Sequence, residues 1–304
     1  VEELSHGMQF WRSFTHWLGG MGVLVFIMAI IPNLSDRSIH IMRAEVPGPV
    51  VGKLLPRIKD TAKILYSIYI LLTFVMIVFL LFGKLSLFES LIYAFGTAGT
   101  GGFGIKADSL ASYSPYIQWV VAIFMLIFGI NFNIYYVLLM RKIKPVFKST
   151  ETKVYMLIIA ISTLIIAINT NHMFESVSDT IRNSFFQVSS IITTTGFSTT
   201  DFDLWPTFSK TIILVLMFCG GCAGSTAGGL KVSRVVLLFK MGARELQKML
   251  HPRSVKTIKI EGKSVDEATL SACSTYFAIY MSCILATFIV LGADSFGNIE
   301  TNFS

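Results

Sequence analysis

One short polar segment occurs twice in this sequence, each time between two long apolar stretches. Ser189–Phe197 (SSIITTTGF) corresponds to Ala94–Phe103 (AFGTAGTGGF), and aligning their Gly-Phe pairs gives a shift of 94 residues. Irregular backbone at membrane depth persists only where it lines protein or a water-filled path. Rings of such backbone carbonyls replace the water shell of a cation in channels. The repeated segment therefore predicts an ion pore.

The composition is that of a membrane protein, because 53% of the residues are hydrophobic and only 14% are charged. A hydrocarbon core of about 30 Å needs roughly 20 apolar residues per helix. Two shorter apolar pieces, Leu87–Phe95 and Ile181–Ile192, predict re-entrant half-helices that do not cross. The candidate spans are Phe14–Ile31, Ile64–Phe82, Ile117–Met140, Val154–Ile168, Thr211–Phe239 with a break, and Ala272–Leu291.

The net charge of +7 is distributed unevenly along the chain. Of the 25 Lys and Arg residues, 20 lie in three connecting segments, Arg37–Lys63, Arg141–Lys153 and Lys231–Lys263. This alternation is typical of the positive-inside rule, so we expect the basic connectors to be cytoplasmic and to contact membrane lipid. It gives no reason to expect a nucleic-acid partner. The last connector predicts a basic amphipathic helix through Leu250, then a short strand or extended arm over Val255–Ile260.

The repeating unit is a helix, a half-helix, a Thr/Gly run and a second helix. Complete units occupy residues 61–150 and 151–250. Residues 1–60 are predicted to be the end of a preceding unit, and residues 251–304 a cytoplasmic arm with the first helix of a following one. Internal repeats are typical of membrane proteins with a site on a pseudo-symmetry axis. Since two complete units cannot close a four-fold ring, we expect the sequence to belong to a longer four-unit chain.

The two polar runs carry the residue types that a potassium filter requires. Glycine adopts positive φ without a steric penalty, which lets the backbone point several carbonyl groups inward, and threonine adds a hydroxyl ligand. A half-helix entering from outside points the negative end of its dipole at the pore. Neither run contains an acidic residue, which favours a monovalent cation. The candidate K⁺-binding residues are Gly99, Thr100, Gly101, Gly102, Thr193, Thr194, Thr195 and Gly196.

A glycine-rich break, Cys219–Gly229, interrupts the fifth predicted span with five glycines in eleven residues. Each glycine costs a continuous helix roughly 0.5–1 kcal/mol relative to alanine, so we expect a loop whose backbone is satisfied in a wet cavity. Close helix packing through small residues is the alternative. Lys231 follows the loop and either latches it or snorkels to the lipid surface. The candidate loop residues are Gly220, Gly221, Gly224, Ser225, Thr226, Gly228 and Gly229.

Cys219 and Cys222 have the Cys-x-x-Cys spacing of redox and zinc sites. No second Cys or His pair stands at ligand spacing, so we expect neither a transition-metal site nor a bound cofactor. All four cysteines lie in or beside predicted spans, which does not indicate a disulfide framework. The five histidines are scattered and suggest no nucleophile–base pair. The sequence therefore predicts that the protein is not an enzyme.

Several motifs resemble the Trk/Ktr family of potassium uptake proteins, most closely its TrkH/TrkG branch. They are Phe10–Ser13 (FWRS), His16–Gly22 (HWLGGMG), Arg43–Pro49 (RAEVPGP) and Gly220–Thr226 (GGCAGST). The resemblance implies an all-α membrane fold of tandem, potassium-channel-like M1–P–M2 repeats around a pseudo-four-fold pore, with the glycine-rich loop as an intramembrane gate. It also implies a homodimer in the bacterial inner membrane that binds cytosolic nucleotide-binding regulatory subunits.

Three other interpretations stay open on the sequence alone. The first is a sodium-permeable relative. In this family the filter of the first repeat influences the selectivity for K⁺ over Na⁺, and that filter is missing from the sequence. The second, from a different class, is a membrane redox protein that uses Cys219 and Cys222. The third is a non-conducting structural or regulatory subunit, which the incomplete repeat count allows.

Overall fold

The computed structural model describes Glu2 and residues 4–22, 58–141, 149–251, 257–260 and 262–293. The chain divides into two compact units, Val1–Val232 and Ser233–Ser304. The described residues are mostly helical, with one small hairpin of two strands. A mostly helical fold agrees with the predicted class.

The helices of the first unit follow a repeated order. A long helix, a short helix, a polar segment and a further helix occur once from α2 to α4 and again from α6 to α8. Short 3₁₀ turns lie at Asn171–Met173 and Phe202–Leu204. The described helices of this unit are α1 (His6–Gly20), α2 (Ile58–Phe82), α3 (Leu87–Ala98), α4 (Pro115–Phe128), α5 (Phe132–Leu139), α6 (Thr150–Thr170), α7 (Val177–Ile192) and α8 (Thr207–Phe218).

Helices α2 and α6 contain the predicted spans Ile64–Phe82 and Val154–Ile168, and both are long and apolar enough to cross a membrane. The short helices α3 and α7 have 12 and 16 residues, less than the roughly 20 that a crossing needs. In the first predicted span, α1 ends at Gly20, and residues 23–31 lie outside the described part of the chain.

The predicted span Ile117–Met140 is two helices, because the chain bends by 90° between α4 and α5, which together are apolar and long enough for a broken span. Gly129 ends α4, and the Asn131 side chain starts α5 by accepting a backbone amide hydrogen bond at 2.9 Å. The Phe128 carbonyl, freed at the bend, accepts a hydrogen bond from Thr226 Oγ1 at 3.2 Å. Local caps and a contact with a residue far along the chain therefore accompany the bend together.

Serine side chains cap five of these helices by accepting a backbone amide hydrogen bond in the first turn. An N-cap serine satisfies one of the free N–H groups and stabilises a helix by about 1 kcal/mol. At α7 the Ser176 hydroxyl also donates to the Asp179 carboxylate at 2.7 Å, and this bond lowers the pKa of the Asp179 carboxyl. The caps of α1, α3, α4, α6 and α7 are Ser5, Ser86, Ser114, Ser149 and Ser176.

Aromatic rings join α1 to α2 and to the bend. The ring of Tyr69 lies 5.4 Å from Trp17, 5.8 Å from Phe128 and 6.0 Å from Phe132, centroid to centroid. The Tyr69 hydroxyl donates to the Trp17 carbonyl at 2.8 Å, and the Trp17 indole donates to Thr73 at 3.1 Å. Helices in a membrane associate through packing and hydrogen bonds rather than apolar burial. These contacts therefore fix α1 beside the bend.

The second unit contains α9 (Val232–Leu250), strands β1 (Lys259–Ile260) and β2 (Lys263–Ser264), and α10 (Glu267–Ala293). Helix α9 confirms the expected helix through Leu250. The predicted strand falls partly on residues 252–256, outside the described part, while β1 pairs antiparallel with β2. Arg244 binds Glu267 at 2.5 Å, which ties α9 to α10. Helix α10 contains the predicted span Ala272–Leu291 and is long and apolar enough to cross a membrane.

Candidate functional site

The two polar segments have the same unusual backbone. Thr100 and Thr194 adopt φ values of 51° and 54°, a left-handed conformation that residues other than glycine rarely take. Two residues later, Gly102 and Gly196 adopt φ values of 68° and 91°. These four residues match at the shift of 94, so the repeat found in the sequence extends to the backbone geometry.

The hydrogen bonds that end α3 and α7 match at the same shift. In both segments the threonine amide donates to the carbonyl three residues earlier, and the next amide donates to the carbonyl five residues earlier. Each threonine hydroxyl, that of Thr100 and that of Thr194, also donates to the preceding carbonyl, at 2.8 and 2.7 Å. The amide bonds are Thr100 to Thr97 (3.1 Å), Thr194 to Ile191 (3.0 Å), Gly101 to Gly96 (2.8 Å) and Thr195 to Ser190 (2.9 Å).

The two segments lie against each other. A Cβ atom built on Gly102 would collide with the carbonyl oxygen of Thr195, so only glycine fits there. Just beyond, the Leu110 amide donates to the Ser198 carbonyl at 3.0 Å, and the Ser198 amide donates to Ser109 Oγ at 3.1 Å. The predicted filter residues of both repeats therefore come together in space.

Several carbonyl oxygens in these segments accept no hydrogen bond from the described residues. Unpaired carbonyls are costly at membrane depth unless water or an ion satisfies them. Because α3 ends at Ala98 and α7 at Ile192, the negative ends of both helix dipoles also lie at the segments. The place is therefore suited to a cation. The unpaired carbonyls belong to Thr100, Gly101, Gly102, Thr194, Thr195 and Gly196.

All four threonine hydroxyls of the two predicted filter segments form hydrogen bonds within the protein. The hydroxyls of Thr193 and Thr195 share a hydrogen bond of 2.8 Å, and Thr193 also donates to the Ser189 carbonyl at 2.6 Å. Ser190 was not predicted to have a role. Its hydroxyl accepts from the Gly196 amide at 3.1 Å and donates to the Phe197 carbonyl at 2.6 Å. These side chains hold the second segment in shape.

Arg12 and His16 of α1 support the first segment. Arg12 donates to the Gly104 carbonyl at 2.8 Å, and its guanidinium lies 5.0 Å from the centre of the Phe103 ring. The His16 ring lies 4.9 Å from the same ring, and a Cβ atom on Gly101 would approach His16 Cγ to 2.8 Å. Sequence analysis gave these residues no role of their own, although both stand in the motifs that carry the family resemblance.

The glycine-rich break is a folded loop between α8 and α9. Its two ends pair in a parallel bridge between Cys219 and Leu230, and the Gly220 amide donates to the Leu230 carbonyl at 2.8 Å. Gly224 and Gly229 adopt positive φ values of 71° and 70°. The Ser225 hydroxyl closes an internal turn by donating to the Cys222 carbonyl at 2.6 Å. The predicted break is therefore confirmed as an ordered turn of the chain.

The loop fills the bend between α4 and α5. The Cys222 amide donates to the Gly129 carbonyl at 2.9 Å, and the Phe132 amide donates to the Gly224 carbonyl at 2.9 Å. The two breaks, which occupy equivalent places in the repeats, thus satisfy each other's backbone groups. Gly221 is closely packed here, because a Cβ atom on it would lie 2.9 Å from the Gly129 carbonyl oxygen.

The loop also contacts the threonine of each polar segment. Thr100 Oγ1 donates to the Thr226 carbonyl at 3.1 Å, and the Gly228 amide donates to Thr194 Oγ1 at 2.7 Å. The equivalent hydroxyls of the two repeats therefore both bind the loop. The predicted filter and the predicted loop form one continuous site.

Two charged side chains also hold the loop. Glu151, in the first turn of α6, accepts a hydrogen bond from the Ala223 amide at 2.7 Å. Lys231 is 7% exposed and donates to the Ala227 carbonyl. Of the two roles expected for Lys231, this burial supports the latch. Glu151 was not predicted, because an acidic residue at the start of a helix is ordinarily explained by the helix dipole.

The Cys-x-x-Cys pair forms neither a disulfide nor a metal site in the structure. All four cysteines are free thiols, and Cys222 is buried in the loop. Among the described residues, no group of three or more His, Cys, Asp or Glu side chains is placed to hold a metal ion.

Known proteins resemble this chain along almost its whole length. Residues 1–303 match the TrkH family model, described as a cation transport protein. The chain is 37% identical over 306 residues to Trk system potassium uptake protein TrkH of Escherichia coli strain K12, and 30% identical over 301 residues to TrkG of that strain. These alignments cover 97% and 98% of this chain, and 63% and 62% of those proteins.

A solved structure agrees with these sequence relatives. The crystal structure of the potassium transporter TrkH from Vibrio parahaemolyticus superimposes with a TM-score of 0.86 at 32% sequence identity. The match covers 100% of this chain and 63% of that one. The chain thus spans a little under two thirds of the length of the relatives that it matches.

Alanine substitutions at the paired glycines test the contact between the segments. Both Gly102→Ala and Gly196→Ala place a side chain at positive φ, which costs about 1–2 kcal/mol. Only Gly102→Ala adds a collision, since nothing lies within 4 Å of a Cβ atom on Gly196. Overpacking of this kind lowers the free energy of unfolding by about 1–3 kcal/mol more. We expect Gly102→Ala to lower the melting temperature of the purified protein more than Gly196→Ala does. Equal losses would contradict the packing described here.

Proposed function

Because the chain belongs to the TrkH family of cation transport proteins, we propose that it forms the pore of a potassium uptake system. The observation that carries this proposal is the pair of polar segments, which have matching positive φ values, lie against each other and carry unpaired carbonyls. Membership of a transporter family also confirms the prediction that the protein is not an enzyme. The redox interpretation of Cys219 and Cys222 loses its support for the same reason.

In this proposal the segments bind dehydrated K⁺ through backbone oxygens. A cage of carbonyls substitutes for the water around a large, weakly hydrated ion. Each further repeat of the longer family proteins would contribute one more segment to the ring. The ligands are drawn from Gly99–Gly102 and Thr193–Gly196, with Thr100 and Thr194 at the end nearest the loop. The dipoles of α3 and α7 add negative potential without a fixed charge.

The proposed architecture assigns the helices to M1–P–M2 repeats around a pseudo-four-fold pore. In residues 61–150, α2 is M1, α3 is the re-entrant pore helix, and α4 with α5 is a bent M2. In residues 151–250, α6, α7 and the broken pair α8 and α9 take the same roles. Residues 1–60 then end a first repeat, and residues 251–304 begin a fourth. The repeated helix order and the matching shift of 94 residues support this assignment.

We assign the glycine-rich loop as the gate. It binds Thr100 and Thr194 at one end of the two segments, so an ion leaving them in that direction meets the loop. Individual hydrogen bonds hold the loop in this position, including those from the Ala223 amide to Glu151 and from the Gly228 amide to Thr194. Breaking a few such bonds would free the path, because hydrogen bonds have a modest net energy of about 0.5–1.5 kcal/mol each.

The remaining assignments concern the surroundings of the protein. The basic connectors favour a cytoplasmic position at a bacterial inner membrane, with the amphipathic helix α9 near anionic lipid. Family membership supports a homodimer and cytosolic nucleotide-binding regulatory subunits as partners. The transported ion is K⁺, and the chain needs no cofactor of its own.

Uptake of ⁸⁶Rb⁺ by liposomes that contain the full-length polypeptide tests the pore. We expect uptake that excess K⁺ suppresses more strongly than excess Na⁺. Gly102→Asp and Gly196→Asp should reduce uptake to the level of protein-free liposomes, because each carboxylate blocks the carbonyl ring. The double variant Cys219→Ser, Cys222→Ser is the matched control and should conduct.

Three outcomes of this experiment would favour the other interpretations. Equal suppression by Na⁺ and K⁺ would favour the sodium-permeable relative. No uptake by the wild type would favour a non-conducting subunit. Uptake unchanged by both aspartate variants would contradict the assignment of the filter.

The role of Glu151 tests the gate separately. Glu151→Ala removes the acceptor of the Ala223 amide without touching the polar segments. A hydrogen bond to a charged group contributes at least about 1.5 kcal/mol. Losing it shifts the equilibrium from the closed towards the open loop by about tenfold. We expect faster ⁸⁶Rb⁺ uptake in the absence of regulatory subunits. Glu151→Gln keeps an acceptor oxygen and should stay near wild type. Unchanged or slower uptake by Glu151→Ala would contradict the gate.

A further inference from the structure

The two polar segments differ in the side chain that stands behind them. In the second segment the Ser190 hydroxyl of α7 accepts from the Gly196 amide at 3.1 Å and donates to the Phe197 carbonyl at 2.6 Å. At the shift of 94 residues, Gly96 of α3 takes the place of Ser190 and brings no hydroxyl. A Cβ atom built on Gly96 would lie 3.2 Å from the Phe103 carbonyl oxygen. The first segment therefore lacks the serine bond of the second at the equivalent carbonyl.

An arginine from α1 contacts the first segment at this place. The Arg12 guanidinium donates to the Gly104 carbonyl at 2.8 Å and lies 5.0 Å from the centre of the Phe103 ring. One turn further along α1, the His16 ring lies 4.9 Å from the same phenyl ring. A guanidinium is planar and always charged, so it can donate to a carbonyl and stack on a ring at the same time. Arg12 thus contacts both residues that follow Gly102.

The neighbouring carbonyl of each segment is paired from the preceding part of the chain. The Gly104 carbonyl accepts from Arg12, and the equivalent Ser198 carbonyl accepts from the Leu110 amide at 3.0 Å. The second segment has the Ser190 bond in addition, supplied by its own short helix. In the first segment the corresponding support comes from a charged side chain on α1, a helix that the proposed architecture places in the preceding repeat.

We propose that Arg12 determines the ion selectivity of the first segment by fixing its backbone, as Ser190 fixes the second. The proposal rests on the proposed pore. Arg12 is a positioning residue in it, because its guanidinium binds the backbone beyond the candidate ligands. Carbonyls discriminate between K⁺ and Na⁺ only while the backbone keeps their number and spacing. Na⁺ is the smaller ion, so a loosened segment closes around it and loses the preference for K⁺.

Ion competition in liposomes that contain the full-length polypeptide tests the proposal. Uptake of ⁸⁶Rb⁺ is measured against added K⁺ and added Na⁺, and the ratio of the two inhibitory concentrations gives the selectivity. We expect Arg12→Ala to lower this ratio by about tenfold, the effect of one charge-assisted hydrogen bond, while uptake persists. Gly96→Ser in the Arg12→Ala background should restore most of the ratio, because its hydroxyl reaches the Phe103 carbonyl. Serine adds no charge, so this rescue separates positioning from electrostatics.

A matched control and a second measurement accompany this experiment. Lys106→Ala removes another positive charge two residues after Gly104, where the ammonium donates to Ser112 Oγ at 2.8 Å, and it should keep the wild-type ratio. Hydrogen–deuterium exchange of the same proteins needs no conduction. Arg12→Ala should speed exchange in residues 99–107 relative to residues 193–201, and added Gly96→Ser should slow it again.

The outcomes separate this proposal from the proposed pore. A selective wild type with an equally selective Arg12→Ala would overturn the role of Arg12 and leave the pore standing. Equal losses in Arg12→Ala and Lys106→Ala would assign the effect to charge and contradict positioning. A wild type without uptake would overturn the pore; faster exchange in Arg12→Ala would then still support the positioning role, and unchanged exchange would refute it. If size-exclusion chromatography shows that Arg12→Ala does not fold, Arg12→Gln replaces it with the same expectations.

Discussion

Backbone amides and carbonyls in a bilayer must find partners within the protein, and the centre of this molecule is built around that requirement. Two apolar helical stretches break, one at Gly129 and one over Cys219–Leu230. Each break supplies the donors and acceptors that the other lacks, through Cys222 to Gly129 and Phe132 to Gly224. Neither irregular segment would be tolerated without the other.

The same requirement explains why the polar segments are special. Six of their carbonyl oxygens accept no hydrogen bond from the described residues. The left-handed conformations of Thr100 and Thr194 are strained for threonine, and the surrounding hydrogen bonds hold them in place. Strain and unpaired carbonyls at one place support the proposal that these segments bind the transported ion.

Much of this arrangement was predictable from the sequence. The shift of 94 residues, the two short helices and the glycine-rich break all follow from local composition, and the structure contains each of them. The size of the bend at Gly129 was not predictable, because Gly129 and Asn131 do not determine an angle, and the groups that pair with the bend lie about 95 residues further on. Glu151 and Arg12 were missed for a similar reason, since a carboxylate or guanidinium that binds a distant backbone group leaves no local pattern.

The central claim is that the two segments jointly bind a dehydrated monovalent cation. Anomalous diffraction from crystals of the full-length protein grown in Tl⁺, a heavy substitute for K⁺, tests it most directly. The account predicts an anomalous peak between Thr100–Gly102 and Thr194–Gly196, within coordination distance of carbonyl oxygens from both, which excess K⁺ removes. Segments that lie together without any such peak, or Tl⁺ bound only elsewhere in the protein, would contradict it.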